Sequence, residues 1–291
     1  MNATTRRKRR IPALFLAPAM LLFVVILLVP VISVFVLGFS GWTGFDLQQV
    51  QFKGVRNYWE LTKDSFFLSA FRHTVVLIAA TALLMNVLGI AAASVINTRV
   101  RGSEFLRIAM FLPLGLSPII TAVIWQRMLG PFGILNEALG WFGISPIDFF
   151  GRPRMAFAAL IAAYVWQYAG YNMLLYYAAL QSLPTERVEA AAVDGASRLG
   201  QFRHVVLPYL RPVIAVVVVL NLIGGWKIFD IVYVLTAGGP NRATDVLATY
   251  LYEQSFTFSN VGYASAIATI VIGLAVVSSL TRRAVAGEDN A

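Results

Sequence analysis

The feature that most constrains this chain is a series of apolar blocks, each about as long as the ~20 residues an α-helix needs to cross the hydrocarbon of a bilayer. They run from about Leu14 to Gly38, Thr74 to Ile96, Leu106 to Met128, Met155 to Leu180, Val213 to Leu235 and Gly262 to Leu280. Composition agrees: 58% of the residues are hydrophobic and 13% charged, where an ordinary soluble domain carries roughly a quarter charged. The expectation is an all-α polytopic membrane protein with six transmembrane helices. Pro30, Pro113 and Pro118 lie within the first and third blocks and should kink them.

A net charge of +9 raises the question of a nucleic-acid partner, but the basic residues lie between the blocks and at the termini. No basic run interleaved with aromatics falls on a soluble-looking segment, so nucleic-acid binding is not expected. The absence of cysteine excludes disulfides, thiolate metal sites and cysteine nucleophiles. The cluster Arg6, Arg7, Lys8, Arg9 and Arg10 ahead of the first block has the look of a signal peptide, yet the apolar run exceeds the ~7–15 residues of a cleaved signal. It reads as a retained helix.

Lys and Arg accumulate in short cytoplasmic loops. The N-terminal cluster, then Arg99, Arg101 and Arg107, then Arg187, Arg198, Arg203 and Arg211, then Arg282 and Arg283 fall on one side, which places both termini in the cytoplasm. The bias is moderate, because Lys53, Arg56, Lys63 and Arg72 lie in the first outer loop beside Asp46, Glu60 and Asp64. The resulting organisation is a basic N-terminus (1–13), a single membrane domain (14–280) and a short tail (281–291).

The inner loop Gln181–Pro212 is long and reads as two short helices joined by a turn. Pro184 suits a first turn, and Glu186 and Glu189 favour the positive end of a helix built from Val188, Ala190, Ala191 and Ala192. Gly195 can close it in the left-handed conformation, and Asp194 or Ser197 can cap the next helix. Leu199, Phe202 and Val206 then recur at helical spacing, and Pro208 should stop the second piece. By periodicity alone this is either an amphipathic connector on the protein's own surface or a docking element.

Glu189, Ala190, Ala191, Gly195, Val205, Leu207 and Pro208, extended by Asp194 and Ala196, resemble the loop that defines permease subunits of bacterial ATP-binding-cassette (ABC) importers, in the form usual in their carbohydrate-importing branch. Val205 departs slightly, standing where that pattern has isoleucine. The segment Phe229–Pro240, with Tyr250 and Gly262-Tyr263-Ala264-Ser265-Ala266, is similar to sugar permeases of the larger maltose-permease type, so the resemblance covers most of the chain. It implies a type I importer transmembrane fold in a bacterial or archaeal cytoplasmic membrane. It implies that Glu189 contacts an ATPase, that Gly195 forms the bend, and that Leu207 and Pro208 set the exit into the next span. The implied partners are a related but non-identical second permease, an ATPase dimer that holds ATP and magnesium, and an extracytoplasmic solute-binding protein. No cofactor is expected in this chain.

Lys227 and Asp230 fall at membrane depth in the fifth block, where each charge costs about 2.5–3.5 kcal/mol at a helix centre. Three residues apart, they share a helix face and could neutralise each other, or line a wet cavity with Asn221 and Trp226, with Gly224 and Gly225 loosening the helix beside them. The fourth block adds Tyr164, Trp166, Gln167, Tyr168, Tyr171 and Asn172, whose aromatic faces and amides suit a sugar, although aromatic packing explains any one of them. The resemblance points to Tyr171, Asn172, Lys227, Asp230 and Ser265 as substrate contacts. After Gly238, Gly239 and Pro240 an outer turn and a short helix near Leu247–Glu253 should meet the binding protein.

None of Lys8, Lys53, Lys63 and Lys227 follows a glycine, so no phosphate loop can be written and ATP must be hydrolysed by another chain. His73 and His204 sit near opposite membrane faces and form no zinc pair, and no G-x-S-x-G elbow occurs. The rival class is an ion-coupled secondary transporter using Asp230, which would have no need of the alanine-glycine loop.

Overall fold

A computed structural model describes residues 16–44, 50–98 and 100–286, with the side chains of 281–286 left aside. The Arg6–Arg10 cluster, Leu14, Asp46, Arg99, the last five residues and the side chains of Arg282 and Arg283 lie outside what is described. Among the described residues every regular element is helical, and Ser40 and Phe52 form an isolated bridge. The helices are α1 (Leu16–Leu37), α2 (Arg56–Leu61), α3 (Ser65–Asn97), α4 (Ser103–Phe111), α5 (Pro118–Met128), α6 (Ile134–Trp141), α7 (Pro153–Leu180), α8 (Thr185–Val193), α9 (Arg198–Gly225), α10 (Asp230–Leu235), α11 (Leu247–Tyr252) and α12 (Val261–Ala286).

By length and composition, four described helices can cross a membrane: α1, α3, α9 and the Val261–Leu280 stretch of α12. A fifth candidate is the pair formed by α4, its 3₁₀ extension Leu112–Gly115, and α5, bent by 108°. The expected proline kink is thus a break. Pro118 has no N–H to give, Ser117 caps α5 by accepting the Ile120 amide at 3.2 Å, and the Leu116 carbonyl accepts Gln167 Nε2 at 2.9 Å. α7 has 28 residues but is less apolar, because Tyr164, Trp166, Gln167, Tyr168, Tyr171 and Asn172 interrupt it.

The fifth block departs furthest from expectation. Its hydropathy predicts a single helix over Val213–Leu235; instead α9 begins at Arg198, ends at Gly225, and α10 starts only at Asp230. Gly225 packs so closely on Ile78 that a Cβ would meet its side chain, and Trp226 is buried, donating Nε1–H to Ser278 Oγ at 3.0 Å and stacking on Phe71 at 6.3 Å. At the other end Pro208 does not stop the helix. A π turn over Phe202–Val206, with the Leu207 amide donating to the Phe202 carbonyl, widens the backbone just before the proline and lets it pass.

Two units divide the chain: Met1–Asp64 with Leu251–Ile270, and Ser65–Tyr250 with Val271–Ala291. In the smaller one, Asn57 donates to the carbonyls of Gly38 and Ser40 at 2.8 Å each, and Tyr263 donates to Asp64 at 2.7 Å. No residue of α1 is buried.

The larger unit is organised on α3 and α7, which approach closely at Gly89, where a Cβ would lie 2.9 Å from that of Asn172. Buried Asn86 accepts the Tyr176 hydroxyl between them. One apolar cluster gathers Ala92, Ala93, Ile96, Met173, Tyr176, Leu180, Leu210 and Val217, with Leu106 and Met110 of α4 against it. A second gathers Leu77, Leu160 and Ala163 with Ala122 of α5 and Ile231, Val232 and Leu235 of α10. The bent pair therefore runs from one cluster to the other, and so does the broken α9–α10 segment.

Candidate functional site

Between the two clusters the larger unit holds a cleft of about 430 Å³. Its main wall is α7. Tyr164, Tyr168, Tyr171 and Asn172 sit at i, i+4, i+7 and i+8, one face of a helix, and all four line it. The Tyr164 and Tyr168 rings pack at 4.6 Å between centroids. Leu220, Asn221 and Gly224 of α9 face them, Leu114 and Pro118 enter from the bent pair, and Met85 comes from α3. Both helix breaks thus open onto the cleft, and in a bilayer irregular backbone is tolerated where it lines a cavity.

Lys227 and Asp230 stand on either side of the α9–α10 break, exposed and lining the cleft. Because the helix is interrupted between them they share no helix face, and no ion pair joins them among the described residues. The mutual neutralisation allowed by their spacing is absent. Asn172 is 1% exposed, and neither its amide oxygen nor its amide nitrogen has a hydrogen-bond partner; the Asn221 amide nitrogen is in the same state. A buried amide left unpaired costs about 1–3 kcal/mol. Asn172 lines the cleft, with this unpaired amide covered.

Of the sequence-derived pathway residues, Tyr171, Asn172, Asn221, Lys227 and Asp230 come together here. Trp226 does not: its ring is packed into the break, as described above. Ser265 lies in the smaller unit, buried, its carbonyl accepting the Thr269 hydroxyl at 2.9 Å. Tyr164 and Tyr168 join the cleft residues, and their spacing with Tyr171 and Asn172 is the sequence signal that places them. Nothing local in the sequence announces Leu114 and Pro118, which reach the cleft only through the 108° bend.

The Gln181–Pro212 loop is helix, turn, helix. α8 ends at Asp194, Gly195 takes φ +82°, and Ser197 caps α9 by accepting the Gly200 amide at 3.2 Å. Gln201 Nε2 donates to the Ala196 carbonyl at 2.9 Å and braces the turn. Glu189, Ala190 and Asp194 are exposed, Ala191 and Leu207 half-buried. A groove of about 600 Å³ runs between α8 and α9, lined by Ala190, Ala191, Asp194, Val205 and Pro208 together with Arg187, His204 and Tyr209. Leu199 is 75% exposed and Val193 87%, so part of the apolar stripe is not laid on the protein's own surface. Beyond α10, α11 covers the short helix expected near Leu247–Glu253 and continues as a π turn over Glu253–Thr257.

The family described as "Binding-protein-dependent transport system inner membrane component" matches residues 85–286, a span holding the whole cleft lining and the whole loop. The chain belongs to this family. It is 35% identical over 276 residues to the "Probable ABC transporter permease protein YurN" of Bacillus subtilis, covering 93% of this chain and 94% of that one. It is 32% identical over 270 residues to the "Trehalose/maltose transport system permease protein MalF" of Thermococcus litoralis, covering 92% and 90%. Two solved structures share the fold. One is of a bacterial ABC transporter that imports alginate (TM-score 0.80, 24% identity, 96% of each chain); the other is of such a transporter with an alginate pentasaccharide-bound periplasmic protein (0.82, 23%, 97% of each chain). The chain is a membrane permease subunit of an ABC importer.

Proposed function

We propose that this chain forms part of the translocation pathway for a sugar or related polar solute handed over by an extracytoplasmic binding protein. ATP, with magnesium, is hydrolysed in a separate ATPase dimer, and a second, related permease encloses the rest of the path. Six segments cross the cytoplasmic membrane with both termini inside: the bent pair counts as one, α7 as another, since 28 residues of helix reach about 42 Å. The carbohydrate names of relatives such as the Thermococcus permease support a sugar. So does the cleft, whose tyrosines offer flat faces to C–H surfaces and whose amides match hydroxyls.

The observation that carries this reading is buried, unpartnered Asn172 in a tyrosine-lined cleft. The loop supplies the drive. Binding protein docks on the outer side, ATP binding closes the ATPase dimer, and Glu189 and the small Ala190–Ala191 surface, seated on that dimer, carry its motion through the Gly195 bend into α9 by way of Leu207 and Pro208. Asp194 closes α8 so that the bend keeps its shape.

The test is solute-stimulated ATP hydrolysis and uptake by the complex in proteoliposomes, with assembly checked for each variant. Glu189→Ala should assemble and lose stimulation; Asn172→Leu should assemble and lose uptake. Uptake that persists without the ATPase subunits would overturn the ABC reading in favour of ion coupling. Full uptake by Asn172→Leu would remove the cleft from the pathway.

A further inference from the structure

The segment around α6 carries an apolar surface that neither the cleft nor the 181–212 loop uses. Phe132 is 102% exposed, Trp141 and Phe142 80% each, and Ile134 75%. Their backbone is held in place. Asn136, 4% exposed, donates Nδ2 hydrogens to the carbonyls of Gly130 and Ile147 at 3.0 Å each and accepts the Ile147 amide at 2.8 Å, closing the segment with one side chain. A fixed scaffold that holds four large apolar side chains outward is a surface built to be covered.

Position and charge identify the cover. The segment follows directly on α5, the second half of the bent candidate span, whose exposed Ile119, Ile120, Val123 and Ile124 form an apolar face. At its two roots stand Arg127 in the last turn of α5 and Arg152 and Arg154 at the start of α7, all exposed and without an ion-pair partner among the described residues. Guanidinium groups at the base of an aromatic platform match the layering of a bilayer interface: phosphates bind arginine, and tryptophan and phenylalanine settle at the boundary with the acyl chains. Glu137 is also exposed on α6, three residues after Ile134 and four before Trp141.

We infer that α6 and its flanks are an interfacial lipid anchor, with Phe132, Ile134, Trp141 and Phe142 immersed at the acyl boundary and the arginines on lipid phosphates. The anchor fixes the end of the span that leads into it, whatever the solute. It rests on the membrane placement of α5 and on nothing in the cleft.

The chain has no cysteine, so Phe132→Cys and Phe142→Cys each give one spin-label site on it. The complex would be placed in nanodiscs of phosphatidylethanolamine and phosphatidylglycerol, and the label calibrated against nitroxide lipids. Both labels should collide more with oxygen than with a water-soluble nickel chelate, at a depth of about 5–10 Å. Trp141→Phe provides a label-free check: the emission that this variant lacks should be quenched when the discs contain brominated lipid. Nickel-accessible labels with unquenched Trp141 would overturn the anchor. So would shielding that appears only when solute-loaded binding protein is added, which would make the platform a protein dock.

Discussion

Gly170→Ala puts a methyl group where α4 crosses α7, one residue before Tyr171 in the cleft wall. A Cβ at this position falls onto the Met110 carbonyl oxygen and lies 2.7 Å from its carbonyl carbon and 3.2 Å from Phe111 Cα. The carbonyl carbon alone is about 0.7 Å inside the 3.4 Å at which ordinary contact begins. These are backbone atoms, so no side-chain rotation gives way and the two helices must part. Overpacking of this kind costs about 1–3 kcal/mol, with the upper end fitting a rigid obstacle, and the better helix propensity of alanine returns about 1. A net loss of about 2 kcal/mol is expected. Followed by circular dichroism on the complex in nanodiscs, it should lower the melting midpoint by roughly 4–8 °C, at the ~2–4 °C per kcal/mol of a chain of comparable size. Gly140→Ala is the control, since a Cβ there meets nothing within 4 Å, and it should leave the midpoint unchanged or raise it. If Gly170→Ala melts with the native protein, the close helix crossing does not exist as described.

Gln167→Leu removes the donor to the Leu116 carbonyl at the 108° break and should destabilise the complex by about 1–3 kcal/mol in the same melting assay. Asn172→Leu should do the opposite of its effect on uptake: it removes an amide with no partner, so the midpoint should hold or rise, and a clear fall would show that Asn172 supports the fold instead. Ser197→Ala deletes the α9 cap, a change of about 1 kcal/mol confined to the loop, and should speed hydrogen exchange at residues 199–201 while leaving α7 protected. Trp226→Phe retains a ring for Phe71 but loses the Ser278 hydrogen bond; a broadened or lowered melt is expected, and an unchanged one would mean that the break does not depend on that bond.

Where structure is encoded locally, the sequence was readable. The bend of the 181–212 loop follows from Gly195, which alone among its neighbours takes a left-handed φ without strain, and from Ser197 two residues on. The α7 wall follows from spacing. Gly224 and Gly225 announce a loosened helix but not the full α9–α10 break, because a hydropathy window sees Val, Ile and Leu on both sides of it, while the contacts that hold it are Ile78, Phe71 and Ser278, brought in from far along the chain. Assuming a continuous helix there also produced the Lys227–Asp230 pairing that the structure lacks. Prolines announced a kink in the third block, but the size of the bend depends on Gln167, 51 residues away from the carbonyl it binds. Trp226 read as a pathway residue because polar-tipped aromatics at membrane depth suit both a wet cavity and a dry anchor point; only its partner decides.

Because α9 is continuous, the loop and one wall of the cleft are opposite ends of a single lever. From Leu207 to Gly225 the helix has 19 residues, about 28 Å, so a tilt of about 5° at the loop swings Asn221 and Gly224 by about 2 Å. The facing rim at Asp230 belongs to α10, on the far side of the break and seated with Leu77 and Ala122, and does not ride on the lever. The separation of Asn221 from Asp230 is then a gauge of where the loop stands.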